Sequence, residues 1–291
     1  MHFYFLIIMS DIFMATTFGF QKMYQKSAGT SIIAGLAYNI LMGFFSACMF
    51  LVINRFHIEV TPYSIVMAVI FSVVSMLYIF IGFKIIEKGN MSLYTIFLMS
   101  GGMTVPYIWG VAFLNEELTL MRTVGLLLII SATIISGTGI KKSDKKQILM
   151  CIAIFFLNGM SSVVSKTHQI SPVSEIVTAS DFAFIVMLSK VVICSVILLI
   201  INRNIKDSNE NNLHFKSIAP IVFAAAVFDG IAYMLQLICA TKVPVTVLYP
   251  LVTGISIILT SLVGKIFFKE HISKKQYIGI AVCFVGTLLF L

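Results

Sequence analysis

Charge all but vanishes from ten stretches of this chain, each roughly 20 residues long, and returns in the short gaps between them. A helix of that length crosses about 30 Å of hydrocarbon. Lipid offers no hydrogen-bond partners, so each crossing has to satisfy its own backbone by being helical. The pattern points to an all-α integral membrane protein with ten transmembrane helices. The few polar groups inside those helices then carry most of the functional information.

Composition excludes the main alternatives. Hydrophobic residues make up 59% of the chain and charged residues 11%, against about 25% charged in soluble domains. The net charge of +8 could suggest a nucleic-acid partner. The lysines sit beside span ends, however, where they serve as orientation signals and meet anionic headgroups, so the expected partners are membrane lipid and a small-molecule substrate. The five cysteines (Cys48, Cys151, Cys194, Cys239, Cys283) are odd in number and form no CxxC, which argues against a disulfide framework or a zinc site. His2, His57, His168, His214 and His271 are scattered without metal-ligand spacing. No metal or other cofactor is expected. The first apolar stretch lacks a basic start and contains Asp11, so it reads as a retained helix rather than a signal peptide.

The expected spans are Phe3–Gln21, Thr30–Ile53, Tyr63–Ile86, Met91–Leu114, Met121–Ile140, Ile148–Ser165, Val177–Ile201, Ser217–Ala240, Val245–Phe268 and Lys274–Leu291. A basic run, Lys141 to Lys146, marks the midpoint, and Asn202 to Phe215 is the longest polar loop. The halves look alike. Asn115-Glu116-Glu117-Leu118-Thr119, followed by Gly125, reads against Lys269-Glu270-His271-Ile272-Ser273, followed by Gly279, at an offset of 154 residues. Pro62 reads against Pro220, and Lys22, ending helix 1, against Lys166, ending helix 6. The expected organisation is a five-helix repeat over 1–140, a basic linker at 141–147 and a second repeat over 148–291. Five spans per half is odd, so the second repeat enters the membrane inverted, a 5+5 arrangement that places a transporter's substrate site near the midplane.

The segment Val243-Pro244-Val245-Thr246-Val247-Leu248-Tyr249-Pro250, continuing through Thr253-Gly254 to Phe268-Lys269-Glu270, Gly279 and Gly286, resembles the C-terminal signature of an EamA-type repeat of the drug/metabolite transporter superfamily. It is also similar to the last two helices of small multidrug resistance proteins. Met91 to Gly137 resembles a weaker copy, with its proline displaced to Pro106. The resemblance implies a proton-coupled or facilitative carrier of small metabolites or drugs, with a central cavity and with both termini in the cytoplasm. The charge pattern gives the opposite orientation. Of the 20 Lys and Arg, 15 fall in odd-numbered gaps and four, Arg55, Arg122, Lys166 and Lys242, in even-numbered ones. The positive-inside rule then puts both termini outside. Richness in Lys, Ile and Asn points to an AT-rich bacterial genome, and the expected location is the cell membrane, as a multi-pass protein of a bacterial inner membrane.

An ionisable group at membrane depth costs about 2.5–3.5 kcal/mol on insertion scales, so each is a functional candidate. Four qualify: Asp11, Asp181, Lys190 and Asp229. Asp229 shares a helical face with Tyr233 and Gln236 at i+4 and i+7. It can exchange a proton or hold a cationic substrate, or else form a structural ion pair with Lys190. Asp11 lies where small multidrug resistance proteins carry their proton-and-drug carboxylate. Asp181 reads as a solvated helix-start residue. Helix 9 carries a hydroxyl stripe, Tyr249, Thr253, Ser256 and Thr260, beside Pro250, and helix 6 carries Asn158, Ser162 and Ser165. Both stripes can line a wet path or pack helices. Tyr94, Tyr107, Trp109, Phe228 and Tyr233 could cage an organic cation. Glu116 and Glu270 sit at loop edges, where carboxylates complement the starts of helices 5 and 10. Ser273 and Gln276 have capping-box spacing.

Three functions compete. A secondary transporter of a small polar or cationic organic solute would rock its repeats about Asp229 and Asp11. A lipid-linked sugar flippase would open its cavity sideways to lipid. A membrane enzyme or accessory subunit would be expected to show a His, Asp or Arg cluster, GxSxG or HExxH, and the chain has none of these. No Walker motif is present, so the chain does not hydrolyse ATP. A monomer is compatible with all three.

Overall fold

The structure is a computed structural model that describes residues 2–29, 31–87, 91–136, 145–172, 175–204, 215–269 and 272–290. Ten helices follow in order: α1 (His2–Ala28), α2 (Ile32–Ile53), α3 (Pro62–Glu87), α4 (Met91–Phe113), α5 (Leu120–Ser136), α6 (Lys145–Ile170), α7 (Ala179–Asn204), α8 (Phe215–Ala240), α9 (Val245–Phe268) and α10 (Lys274–Leu288). Among the described residues there is no strand. Most of the linker (141–144), most of the longest polar loop (205–214), and Glu270 with His271 lie outside the described residues.

Eight of the helices are long and apolar enough to cross a membrane. The other two are shorter, α5 with 17 residues and α10 with 15. At about 1.5 Å per residue these rise about 26 and 22 Å, less than a full hydrocarbon thickness. Large apolar side chains stand more than half exposed on the helix flanks, among them Phe5, Phe44, Leu127, Phe156 and Leu199. Outward-facing apolar groups are what a lipid solvent requires, and the chain is a multi-pass membrane protein.

Two helices run five or more residues past their expected ends, and α7 runs three further, to Asn204. α1 continues past Lys22 and Lys26 to Ala28, where Gly29 at φ 82° ends it, its N–H donating to the Gln25 carbonyl. α6 continues past Ser165 to Ile170, so Lys166 and His168 lie inside a helix rather than in a gap. Long basic side chains can remain within a helix near a membrane end because their stems are apolar. Other ends follow local chemistry. Ser31 caps α2, its hydroxyl accepting from the Ala34 N–H, and Ser273 with Gln276 forms the capping box that starts α10.

The helices belong to two compact units, and the division falls inside α1, α3 and α8. One unit comprises Met1–Ile12, Val74–Ile170 and Leu235–Leu291; the other comprises Phe13–Val73 and Ser171–Met234. In the first, α4 packs on α6 and α9, and α5 packs on α10. Close backbone approach makes the α4–α6 pairing: a Cβ on Gly101 would run into the Phe155 backbone, and one on Gly159 would lie 2.6 Å from the Gly101 carbonyl oxygen. Gly125 and Gly286 stand in the same relation across α5 and α10. In the second unit α2 packs on α7. The Ser46 hydroxyl donates to the Ala226 carbonyl, joining α2 to α8, and the Ser72 hydroxyl donates to the Val186 carbonyl, joining α3 to α7.

Candidate functional site

The first unit holds Asp11 and the second holds Asp181 and Asp229, and their environments differ. In the first unit Asp11 of α1 is fully buried. Its Oδ1 accepts a 2.9 Å hydrogen bond from the Ser256 hydroxyl of α9, and its Oδ2 is buried with no hydrogen-bond partner. The neighbouring Ser10 hydroxyl accepts a 3.0 Å bond from Gln236 Nε2 of α8. The Cys239 thiol reaches the Phe3 carbonyl at 3.6 Å. Asp11 therefore ties α1 to α9, and the adjacent Ser10 ties it to α8. Sequence spacing alone assigned Gln236 to Asp229.

The helix 9 stripe is largely committed to its neighbours. The Tyr249 hydroxyl donates to the Ser162 carbonyl of α6 at 2.7 Å, and Thr260 donates to the Ser256 carbonyl of its own helix at 2.6 Å. Thr253 is half-buried between them. On α6, Asn158 Nδ2 donates to the Leu98 carbonyl of α4 at 2.7 Å, beside the Gly101 approach. Tyr94 packs over Gly82 and the buried group Ile85, Cys151 and Ile154. Trp109 stacks on Phe113, with 6.3 Å between ring centroids. Tyr107 is buried and hydrogen-bonds Thr123. These three aromatics belong to the first unit, whereas Phe228 and Tyr233 belong to the second.

Glu116 does something sequence did not reveal. α9 begins after Pro244, whose side chain cannot accept a hydrogen bond, so the first N–H groups of that helix need an acceptor from elsewhere. Glu116, from the loop before α5, supplies it: Oε1 accepts from Val245 N–H at 2.7 Å and Oε2 from Thr246 N–H at 2.8 Å. The expectation that it serves the start of helix 5 is corrected. Lys166 is buried close by, and its Nζ donates to the carbonyls of Ala240 and Val243 at 2.6 and 2.8 Å. The sequence marked Lys166 only by its place at a helix end matching Lys22, which did not reveal that role.

In the second unit, α8 presents Ile218, Val222 and Ala225 to Tyr24, Ala34 and Tyr38 of α1 and α2. Asp229 is the next residue along that stripe, one turn beyond Ala225 and one turn before Tyr233. It is half-buried. No hydrogen bond or contact ion pair joins Asp229 and Lys190 among the described residues. Instead, the Lys190 ammonium lies 5.2 Å from the centroid of the Phe71 ring, and that ring lies 5.6 Å from Tyr233. Phe228 packs against Phe13 and Phe20. Asp181 is not solvated as expected. It is buried, taking bonds from Asn54 Nδ2 at 2.7 Å and the Thr178 hydroxyl at 2.6 Å, because the C-terminal end of α2 reaches the first turn of α7. No group of three or more His, Cys, Asp or Glu forms a metal site among the described residues.

Residues 145–291, just over half of the chain, match the model of the EamA-like transporter family. A protein of known crystal structure superposes with a TM-score of 0.74 at 11% identity, over 99% of this chain and 97% of its own. At that identity the likeness shows the fold alone. No curated protein sequence matches the chain.

Proposed function

From the premise that this chain belongs to the EamA-like transporter family, we propose that it is a secondary active transporter of a small polar or cationic organic solute, coupled to protons and working by alternating access. The observation that carries the reading is Asp11, a carboxyl buried in a membrane-spanning helix with one oxygen bonded to Ser256 and the other unpartnered. A group so costly to insert persists where it performs work. The unpartnered oxygen can hold a proton, or in its ionised form a cation, and competition between the two is the minimal requirement for exchange. Asp229 offers a second carboxylate, half-buried in mid-helix.

In this reading the chain is two five-helix repeats that rock about a midplane site. Asn115 and Lys269 stand at the same place in the two halves and share left-handed backbone angles, φ 53° and 52°, each just after a long helix. The test is reconstitution into liposomes with an imposed pH gradient, screening amines, amino acids and nucleosides. Solute-dependent proton movement is expected, with loss of the proton component in Asp11→Asn or Asp229→Asn. Proton movement that survives both substitutions unchanged, or no solute-dependent flux at all, would refute the assignment.

A further inference from the structure

Two opposite charges close on one short turn, the one that joins α8 to α9, and neither charge belongs to the helices it holds. We infer that Glu116 and Lys166 are the two halves of a latch. They hold the turn shut in this structure, and they pair with each other when it swings away to open that end of the transport path. This deepens the transporter reading and rests on it.

The latch is built entirely within the first unit. Lys166 Nζ donates to the carbonyls of Ala240 and Val243, and Glu116 accepts from the N–H groups of Val245 and Thr246, so the charges grip the chain on either side of Pro244. Each sign matches the backbone it faces, because the end of one helix is negative and the start of the next is positive. The grips themselves are anchored elsewhere. Glu116 donates its own N–H to the Gly110 carbonyl and follows Asn115, at φ 53°. Lys166 stands one turn beyond Ser162 of α6, whose carbonyl takes the Tyr249 hydroxyl. The α4–α5 loop, the end of α6 and the α8–α9 turn follow four, six and eight helices, so they meet at the same membrane face.

Two further observations separate a latch from a pair of permanent caps. Thr246 is fully buried, and its hydroxyl has no hydrogen-bond partner among the described residues, although a carboxylate is bonded to its own N–H. A buried hydroxyl left unpaired raises the energy of the closed state, as suits a state that has to be left during a cycle. Pro250 lacks the N–H that would bond the Thr246 carbonyl, so the first turn of α9 is joined to the rest of its helix by a weakened ladder. When that turn departs, the backbone no longer answers either charge, and an unanswered charge in a dry interior is costly. The two side chains grip groups only two residues apart, so they are close enough to pair once both let go. Backbone bonds in one state and an ion pair in the other are the two arrangements of a bistable element.

The test is hydrogen–deuterium exchange of the full-length protein in lipid nanodiscs, read by mass spectrometry from Val245 to Leu248, with size exclusion as the check of folding. Lys166→Met and Glu116→Gln are each expected to speed exchange there about tenfold, which is about 1.4 kcal/mol. Thr246→Val removes the unpaired hydroxyl at similar size and is expected to slow exchange severalfold. The decisive variant swaps the charges, Glu116→Lys together with Lys166→Glu. It keeps the ion pair of the open state but sets the wrong sign against each backbone end. A folded protein with fast exchange from Val245 to Leu248 is expected, whereas either reversal alone loses folded yield. Permanent caps give the opposite order, the swap losing more folded protein than either single reversal. That result, or a Thr246→Val protein that exchanges no slower than the parent, would overturn the inference; with solute-dependent proton flux intact in liposomes, the transporter reading would still stand. The expected exchange pattern without flux of any screened solute would support the latch as a switch and remove the transporter reading instead.

Discussion

Replacing Glu116 by alanine removes both acceptors from the start of α9. The carboxylate takes two backbone bonds, 2.7 Å from Val245 and 2.8 Å from Thr246, at a helix N-terminus whose cap residue is a proline. A hydrogen bond to a charged group contributes about 1.5–3 kcal/mol, and a carboxylate at a helix start adds about 0.3–1 kcal/mol from the macrodipole. Glu116 is half-buried, so part of that is lost to solvent screening, and truncation should cost about 2–4 kcal/mol. Glutamine keeps one acceptor and turns an amide N–H toward a backbone N–H, so it should cost about half as much. Gly110→Ala attacks the same contact from behind, since its Cβ would lie 3.0 Å from Glu116 Oε2 and 3.1 Å from Val245 Cβ. Reversible unfolding in mixed micelles, followed by helical circular dichroism, measures all three. The order expected is Ala as the largest loss, with Gln and Gly110→Ala smaller. An alanine variant within about 0.5 kcal/mol of the parent would refute the argument that this loop carboxylate caps α9.

Gly101→Ala should lower the yield of folded protein severely, because the new methyl meets the Phe155 backbone, which cannot swing aside; fluorescence-detected size exclusion reads the loss. Asp11→Asn keeps an acceptor for Ser256 while removing the ionisable group, so the melting temperature should change little while pH-gradient-driven uptake in liposomes disappears. Tyr249→Phe gives up its 2.7 Å bond to the Ser162 carbonyl and should cost about 1 kcal/mol in micelle unfolding, with transport retained.

Much of the fold was legible because the membrane imposes it. Apolar runs of the right length gave all ten helices, and the range Val245–Phe268 for α9 agrees at both ends. Misjudged ends occurred where a charged residue was taken to mark water. Lys166 stays in α6 because the carbonyls of Ala240 and Val243, some 75 residues away in sequence, replace its hydration. The same logic explains Asp181, which Asn54 and Thr178 draw inward. Site reading fared unevenly for a related reason. Helical spacing put Asp229, Tyr233 and Gln236 on one face, but which neighbour each meets is set by the helices packed against it. Gln236 bonds Ser10, whereas Tyr233 lies against the ring of Phe71.

By itself, the chain's hydropathy determined that these segments are helices in lipid, since no other backbone arrangement satisfies its hydrogen bonds there. It also determined which few ionisable groups enter those helices. Only the tertiary structure decided what those groups face. A polar side chain in a dry interior is defined by its partners, and those partners come from helices remote in sequence. Periodicity along one helix cannot show that Asp11 keeps one oxygen free or that Lys190 leans on a ring rather than on Asp229.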